Sequence, residues 1–446
     1  MKRFLYIVVF VVAAFGLYFI IGHYFPKSVG RYPFFVLLFL ADLYLYSSYH
    51  KKIWSWKKIA AWLISTLYWI PAIMVGVILV GSVIYDFNSW DKYFKNYLVG
   101  FILIGYVAKS VPILFLAMAD VIRIVRKRFR LSEKKQKDEG KAISRSLFLK
   151  RLGLIGGGLM FATLTIGMFK WVFDFKLWRK SIKIPGLPDA LAGFKIVQFS
   201  DIHLGSWLSK NNLEEAVLKM NGLNPDVILF TGDLVNYETG EAFEFEEALK
   251  KLYAKYGIFC ILGNHDYGDY KRWESKQAKQ DNMSRLFDFY NRLGWNLLRN
   301  ENFILQRGND KMAIIGVENW GSMSRFQKYG DLDEAIQGVQ SIPVKILLSH
   351  DPSHWDLKVR NYPVNIDITL SGHTHGAQFG FEFPGIRWSP SQYIYKHWAG
   401  LYSEINKTTG NLQYLYVNRG IGTIGYPGRV GINPEITLIE LQPSDG

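Results

Sequence analysis

Hydrophobic residues are unevenly distributed along the 446-residue chain. Five apolar stretches lie near 4–22, 33–49, 59–85, 97–122 and 152–173. Each is about long enough to cross the hydrocarbon core of a bilayer, although 33–49 is at the short limit. Segments such as IVVFVVAAFGLYFIIG are apolar on every side, which is typical of helices in lipid and not of helices in a soluble core. The pattern therefore predicts a four-helix transmembrane module in residues 1–122 and a fifth, anchoring helix in 152–174.

The basic residues between these stretches predict how the chain crosses the membrane. Lys and Arg gather on the cytoplasmic side of membrane proteins. The stretch 123–151 carries twelve basic residues against three acidic ones, and the loop 50–58 carries four lysines. Alternation along five spans places both segments in the cytoplasm, so we expect a multi-pass protein of the cell (inner) membrane whose remaining residues are extracytoplasmic. Four basic residues after the fifth span oppose this orientation: Lys176, Arg179, Lys180 and Lys183.

The predicted cytoplasmic linker, 123–151, ends in the sequence SRSLFLKR. This sequence resembles the start of a bacterial twin-arginine export signal, with Ser146 in place of the second arginine. Such signals normally open a protein and are removed. Since no small-x-small cleavage site follows the fifth apolar stretch, we expect that stretch to remain as an anchor. Two ionisable residues inside the predicted spans, Asp42 and Lys109, are either functional residues or an inter-helix ion pair.

The charge of the chain is concentrated in its apolar part. Residues 1–174 contain 24 Lys and Arg against 8 Asp and Glu, whereas the remaining 272 residues contain 29 against 30. The basic character therefore belongs to the membrane module, and no nucleic-acid partner is expected. The single cysteine, Cys260, excludes an internal disulfide, and its apolar run GIFCIL is typical of a buried structural thiol.

Beyond Pro185, short β-branched runs alternate with polar, helix-like stretches, a pattern typical of an α/β domain. Five of these runs end in residue types that bind metal ions: FKIVQFS before Asp201 and His203, DVILFT before Asp233, GIFCIL before Asn264, VKILLS before His350, and IDITLS before His373 and His375. In α/β sheets the loops after separate strands converge at one edge. Asp, His and Asn suit divalent Mn, Fe or Zn and not a thiolate site. Two ions that share one bridging carboxylate would account for this set.

The order D-x-H, G-D, G-N-H-D, H and G-H-x-H resembles the calcineurin-like metallophosphoesterase superfamily over residues 183–446. The phrase SDIHLG and the segment GHTHG are similar to the bacterial membrane-linked branch of that family. The resemblance implies an α/β fold, a four-layer α/β/β/α sandwich. In this chain an all-α transmembrane module of about five helices precedes it.

The resemblance also implies a role for individual residues at a two-metal site. One ion would be held by Asp201, His203, Asp233 and His375. Asp233 would bridge to the second ion, which Asn264, His350 and His373 would complete. His265 would be the catalytic histidine that faces the substrate without binding metal, with Asp266 as its partner. Arg429 is a candidate either for contact with the substrate phosphate or for a structural salt bridge.

The chemistry that the resemblance implies is hydrolysis of a phosphodiester or phosphomonoester, with a metal-bridging hydroxide as nucleophile. The predicted outer location and the collar WVFDFKLWRK favour a substrate in the envelope or linked to a lipid. A first alternative is a cytoplasmic-face enzyme that cleaves a nucleotide-linked lipid pyrophosphate such as UDP-diacylglucosamine. A second alternative is a membrane receptor or transporter without catalytic activity.

Overall fold

The computed structural model describes residues 15–85, 87, 90–129 and 145–444. The chain divides into two compact units, Met1–Thr165 and Ile166–Gly446. In the first unit, residues 15–24 are helical, and four longer helices follow: α1 (Tyr32–Ile53), α2 (Lys58–Ile84), α3 (Lys92–Arg128) and α4 (Arg145–Phe169), whose last residues belong to the second unit.

Three helical segments in the described ranges are long and apolar enough to cross a membrane: Lys58–Ile84, Lys92–Arg126 and Leu147–Phe173. They match the predicted third, fourth and fifth spans. The predicted second span, 33–49, lies within α1, which is not among those three. The predicted first span, 4–22, falls largely outside the described residues. So does the predicted linker 123–151, including the first residue of SRSLFLKR.

An ion pair joins α1 to α3 within the first unit. The Nζ atom of Lys109 lies 2.6 Å from Oδ1 of Asp42, and both side chains are buried. The hydroxyl of Tyr106 donates a hydrogen bond to Oδ2 of Asp42 at 3.0 Å, and that of Tyr68 donates to the Asp42 carbonyl oxygen at 2.7 Å. Of the two interpretations left open for these ionisable residues, the inter-helix ion pair is the one observed. Removal of one partner would leave the other charge buried and uncompensated, so the pair fixes how these helices pack.

The second unit contains two six-stranded sheets. In spatial order the first sheet consists of β1 (Lys176–Ile184), β14 (Glu435–Pro443), β2 (Lys195–Phe199), β3 (Val227–Phe230), β4 (Ile258–Cys260) and β5 (Asn296–Leu297). The second consists of β12 (Gly400–Ile405), β13 (Leu412–Val417), β9 (Ile368–Ser371), β8 (Val344–Leu348), β7 (Asp310–Gly316) and β6 (Glu301–Arg307). A separate hairpin is formed by β10 (Phe381–Phe383) and β11 (Ile386–Trp388).

The two sheets pack face to face. Successive residues of each strand point to opposite sides of its sheet, so one set of apolar side chains faces the other sheet and the next set faces the helices. Ile196 of β2 and Leu229 of β3 enter the core between the sheets, together with Ile346 of β8. The neighbouring residues Val197 and Ile228 face the other way. They pack under α5 (Lys210–Asn221) and α7 (Lys276–Leu293), with the short α6 (Glu246–Leu249) beside them.

The outer face of the second sheet is covered in the same way by α8 (Leu332–Ala335) and α9 (Ser353–Leu357). The order of layers is therefore helix, sheet, sheet, helix. This confirms the predicted four-layer α/β/β/α sandwich behind a helical membrane module.

Candidate functional site

The five predicted strands are observed as β2, β3, β4, β8 and β9, and their carboxyl ends converge at one edge of the two sheets. The first group of side chains comes from the loops after β2 and β9. The Nε2 atom of His375 lies 3.2 Å from Oδ1 of Asp201 and 3.1 Å from Nε2 of His203. The ligand atoms of these three residues lie within 4.8 Å of one another, which is close enough to hold one metal ion.

A second group comes from the loops after β3, β8 and β9. The Nε2 atom of His350 lies 3.2 Å from Oδ2 of Asp233 and 3.3 Å from Nδ1 of His373. These three ligand atoms also lie within 4.8 Å of one another. Oδ2 of Asp233 is in addition 3.5 Å from Nε2 of His203, so this carboxylate lies between the two groups. The arrangement fits a dinuclear centre with one shared carboxylate.

The backbone of these loops is unusually constrained. Five of the seven predicted ligands have a positive φ between 50° and 70°: Asp201, His203, Asp233, His373 and His375. This conformation is disfavoured for residues with a Cβ atom and persists at sites where the surroundings impose it. Close packing adds to the constraint, because a Cβ atom on Gly372 would lie 1.9 Å from Oγ of Ser200 and 2.3 Å from Oδ2 of Asp201.

Hydrogen bonds from neighbouring groups orient the ligands. The Nδ1 atom of His350 lies 2.7 Å from the Thr231 carbonyl oxygen and must donate to it, which leaves Nε2 free to bind metal. The Nε2 atom of His373 is held by the hydroxyl of Tyr395 at 2.8 Å, so Nδ1 is the atom that faces the centre.

Asn264 is oriented by its neighbour Tyr270. Its Nδ2 atom donates to the Tyr270 hydroxyl at 2.8 Å, while its buried Oδ1 has no hydrogen-bond partner within the described part of the chain. Because a buried polar oxygen without a partner is unfavourable, the arrangement fits an oxygen that binds a cation.

The electrostatics of the site match the same interpretation. Burial raises the pKa of Asp233, but the surrounding histidines, His350 foremost, hold it well below its usual range. Burial lowers the pKa of His350, yet the Asp233 and Asp201 carboxylates and the Thr231 carbonyl together outweigh burial and raise that pKa to about 10. Burial, aided by the neighbouring rings of His265 and His375, holds the pKa of His203 well below its usual range in spite of the Asp233 carboxylate. Buried carboxylates surrounded by imidazoles thus form a donor set suited to divalent cations.

The predicted pairing of His265 with Asp266 is wrong. The Nδ1 atom of His265 lies 2.8 Å from the main-chain carbonyl oxygen of Asn236 and donates to it. Across the described ranges, no hydrogen bond joins Asp266 to the His265 ring. The Asp266 carboxylate instead accepts four main-chain N–H groups, those of Asp233, Leu234, Val235 and Gly263, at 2.8–3.2 Å. Asp266 therefore has a structural role, because it ties the loop after β3 to the loop after β4.

Arg429 is fully buried behind the first group of ligands. Its Nη2 atom donates to the carbonyl oxygens of Arg419, Gly420 and Gly422 at 2.6–3.0 Å and lies 3.5 Å from Nδ1 of His375. Neither alternative raised for this residue matches the geometry, since carbonyl groups and not a carboxylate or an open pocket surround the guanidinium. In place of substrate contact, we propose that Arg429 supports the glycine-rich loop and His375.

A pocket of about 460 Å³ opens over the second group of ligands. It is lined by Asp233, Asn264 and His265 on one side and by His373 and Tyr395 on the other. Other lining residues include Arg325, Phe326, Gln378, Ile394 and Tyr426. Its volume lies within the range of small-molecule sites.

Comparison with known proteins identifies the family of both parts of the chain. Residues 194–377 match the family described as calcineurin-like phosphoesterase, and residues 27–171 match a probable calcineurin-like phosphoesterase transmembrane domain. The uncharacterised metallophosphoesterase YkuE of Bacillus subtilis is 31% identical over 314 residues, which are 68% of this chain and 100% of that protein.

The chain belongs to the calcineurin-like phosphoesterases. An uncharacterised metallophosphoesterase of Campylobacter jejuni is 26% identical over 92% of this chain and 98% of its own length. A transmembrane protein with a metallophosphoesterase domain from Danio rerio is 29% identical over 58% of this chain and 56% of its own length. The predicted family and the membrane association are therefore confirmed.

Sequence reasoning missed several residues of this phosphoesterase site. Tyr270 and Tyr395 hold two of the predicted ligands, and Arg325 lines the pocket, but none of them lies in a predicted ligand motif. Asp351, whose Oδ2 atom lies 3.5 Å from Nε2 of His373, directly follows His350. Its position next to a predicted ligand is the one signal that could have indicated it.

Proposed function

We propose that the chain is a membrane-anchored two-metal phosphohydrolase that cleaves phosphodiester or phosphomonoester bonds. The observation that carries this proposal is the position of the Asp233 carboxylate, whose Oδ2 atom lies within 3.5 Å of a histidine from each ligand group. Together with the family, this shared carboxylate supports a dinuclear centre held by Asp201, His203, Asp233, Asn264, His350, His373 and His375.

Two divalent ions, when bound, supply an activated water and neutralise charge on the phosphoryl group. Side chains of the chain itself provide proton transfer and contacts to the substrate phosphate. Since Nδ1 of His265 donates to the Asn236 carbonyl, its Nε2 atom is the one available in the pocket. We assign to it, when the ring is protonated at both nitrogens, the transfer of a proton to the departing oxygen or the stabilisation of charge in the transition state. The exposed guanidinium of Arg325, which lines the same pocket, is placed to bind a substrate phosphate.

We place the catalytic domain on the extracytoplasmic face, with an envelope or lipid-linked phosphate ester as substrate. The charge asymmetry of the chain supports this side, since twelve basic residues in 123–151 outweigh the four that follow the fifth span. The cytoplasmic alternative, hydrolysis of a nucleotide-linked lipid pyrophosphate, has those four residues in its favour. A tag after residue 446 distinguishes the two. It should react with a membrane-impermeant reagent in intact cells or spheroplasts, whereas protection until permeabilisation would favour the cytoplasmic alternative.

The reaction itself can be tested with purified full-length protein in detergent. It should hydrolyse an aryl phosphodiester or aryl phosphomonoester only after addition of Mn²⁺, Fe²⁺ or Zn²⁺, because the ligand set requires divalent ions. The ratio of the two rates gives the preference between diesters and monoesters. Absence of hydrolysis with every metal, in a protein that retains two ions, would favour the receptor or transporter alternative.

A further inference from the structure

One edge of the catalytic pocket carries an unusual density of exposed apolar side chains. In the β10–β11 hairpin, Phe383 is 67% exposed and Ile386 is 62% exposed. In the segment that follows, Tyr393 is 76% exposed and Ile394 is 62% exposed. Single exposed hydrophobic residues are common on soluble surfaces, whereas a cluster of them marks a site of contact with an apolar partner. We call these four residues, with Phe381, the apolar rim.

Direct contacts connect the apolar rim to the metal ligands. The ring of Phe381 stacks on Trp388 with 5.6 Å between centroids, and Nε1 of Trp388 lies 3.3 Å from the hydroxyl of Tyr393. The next residue, Ile394, lines the catalytic pocket. Tyr395 beside it holds His373 through its hydroxyl. The rim and the predicted centre therefore share one wall.

The polar groups of the hairpin turn inward, which leaves its apolar side chains exposed. Glu382 forms an ion pair with Arg419 at 2.5 Å, and Nη1 of Arg387 donates to the Ala399 carbonyl oxygen at 2.5 Å. The hydroxyl of Ser389 donates to the Gly376 carbonyl oxygen at 2.6 Å. These bonds fix the hairpin to the domain, so the fold itself holds Phe383 and Ile386 exposed to solvent.

The chain itself brings this edge close to a bilayer. The last candidate span ends at Phe173, and β1 begins at Lys176. Trp178 of β1 and the hairpin residue Phe383 line the same cavity of about 590 Å³. The five residue-to-residue steps from Phe173 to Trp178 extend at most about 18 Å. A surface tethered this closely to a membrane helix has lipid as its nearest apolar partner.

The end of the span also contacts the pocket wall. The backbone N–H of Arg429 donates to the Gly167 carbonyl oxygen at 3.2 Å, and a Cβ atom on Gly167 would lie 2.6 Å from the Arg429 carbonyl oxygen. In the same loop, the Tyr426 side chain lines the catalytic pocket, and its carbonyl oxygen accepts a hydrogen bond from Nε2 of Gln378 at 2.7 Å. The pocket therefore lies one loop away from Gly167, a residue of the second unit near the end of the candidate span.

We propose that the apolar rim inserts into the bilayer interface and presents the catalytic pocket to phosphate esters in lipid headgroups. Aromatic and aliphatic side chains bury favourably at that depth, and nearby cations attract anionic headgroups. Lys180 supplies such a cation beside the rim, because it lines the same cavity as Phe383 and Ile386. Lys180, one of the four basic residues that oppose the predicted orientation, would thus have a lipid-binding role. The proposed membrane insertion does not depend on catalysis, whereas the substrate class rests on the proposed hydrolase function.

Insertion can be measured without any catalytic readout. Cys260 is fully buried, so a Phe383→Cys variant of the full-length protein offers one accessible thiol for the fluorophore NBD. After reconstitution in phosphatidylcholine and phosphatidylglycerol vesicles, its emission should shift to the blue and be quenched by lipids spin-labelled near the headgroup. Tyr253→Cys is the matched control, because Tyr253 is 70% exposed but precedes β4, at the strand end opposite the ligands. Equal quenching at the two positions, or protection of Phe383→Cys by contact between copies, would overturn the proposal.

The substrate class is tested with a Phe383→Ser/Ile386→Ser variant, with Tyr253→Ser as control. Hydrolysis of phosphatidylglycerol or phosphatidic acid in phosphatidylcholine vesicles should fall by about tenfold or more, as expected from lost apolar burial. Hydrolysis of a soluble aryl phosphodiester should be unchanged. An equal loss on both substrates, or a wild type that cleaves the soluble ester but neither lipid, would contradict the headgroup substrate. A wild type inactive on all substrates, together with quenching of the labelled Phe383→Cys variant, would refute the hydrolase function and leave the insertion standing.

Discussion

The Nδ1 atom of His265 lies 2.8 Å from the main-chain carbonyl oxygen of Asn236. A carbonyl oxygen only accepts hydrogen bonds, so the proton of a neutral ring is held on Nδ1 and Nε2 points to the pocket. A backbone group thus fixes the tautomer of the neutral ring, and in the proposed role Nε2 takes up a proton before it passes one to the departing oxygen. His265 is close to the ligands, with its ring centroid 4.9 Å from that of His203, yet it belongs to neither group of ligand atoms.

We expect His265→Ala to retain both metal ions and to lower kcat by roughly 10² to 10⁴, because the ring acts on the transition state and not on the ions. Elemental analysis and steady-state rates of the same preparation separate the two effects. Asn236→Ala is the control, since it removes the side chain but keeps the carbonyl group that orients His265. Loss of metal from His265→Ala would show that the histidine is a ligand.

Asp266 should behave differently, since its carboxylate accepts four main-chain N–H groups. An amide in its place offers one acceptor oxygen and turns an NH₂ group towards two donors. Each buried donor without an acceptor costs about 1–3 kcal/mol. Asp266→Asn is therefore expected to lower the melting temperature and weaken retention of both ions. A normal melting temperature and full metal content with a shifted pH–rate profile would instead support a catalytic role.

His354 predicts a pH dependence of stability that is separate from metal binding. Its ring is buried, and burial lowers its pKa from 6.5 to about 4. Between these values the unfolded chain binds a proton that the folded protein does not. Stability is therefore complete above about pH 6.5 and falls as the pH drops towards 4.

Between pH 8 and pH 5, protonation of His354 in the unfolded chain should lower the free energy of unfolding by about 2 kcal/mol. His354→Asn should lose that part of the pH dependence, measured as the difference between denaturation midpoints at the two pH values. His397→Asn, which alters a histidine that pairs with Asp356, is the comparison. An unchanged pH dependence in His354→Asn would show that its ring is protonated in the folded protein.

The five strands that precede the predicted ligands could be predicted from the sequence, because a strand's apolar pattern lies within a few consecutive residues. A buried strand reads as a continuous apolar run, and FKIVQFS or IDITLS stops at the residues that turn out to converge. The membrane helices α2 and α3 have a similarly local signal in their length and composition. The Asp42–Lys109 pair was visible as two candidates, but their contact depends on how α1 packs against α3.

The partners of the site residues could not be predicted in the same way. A main-chain carbonyl such as that of Asn236 or Thr231 has no signature in the sequence, because every residue carries one. The family resemblance pairs Asp266 of the motif G-N-H-D with His265, whereas the chain turns the Asp266 carboxylate towards N–H groups of the loop after β3. Tyr395 reaches His373 across 22 positions, and only the path of the β10–β11 hairpin brings them together.

We propose that two ions share the Asp233 carboxylate and that both are needed for hydrolysis. It is tested most directly by titrating the chelated, full-length protein with Mn²⁺ while hydrolysis of an aryl phosphodiester is followed. Activity should be absent at the start and should saturate when two ions per chain are bound, and Asp233→Asn should bind neither ion tightly and remain inactive. Full activity in the chelated protein, saturation at one ion, or an Asp233→Asn variant that still binds two ions would contradict the account.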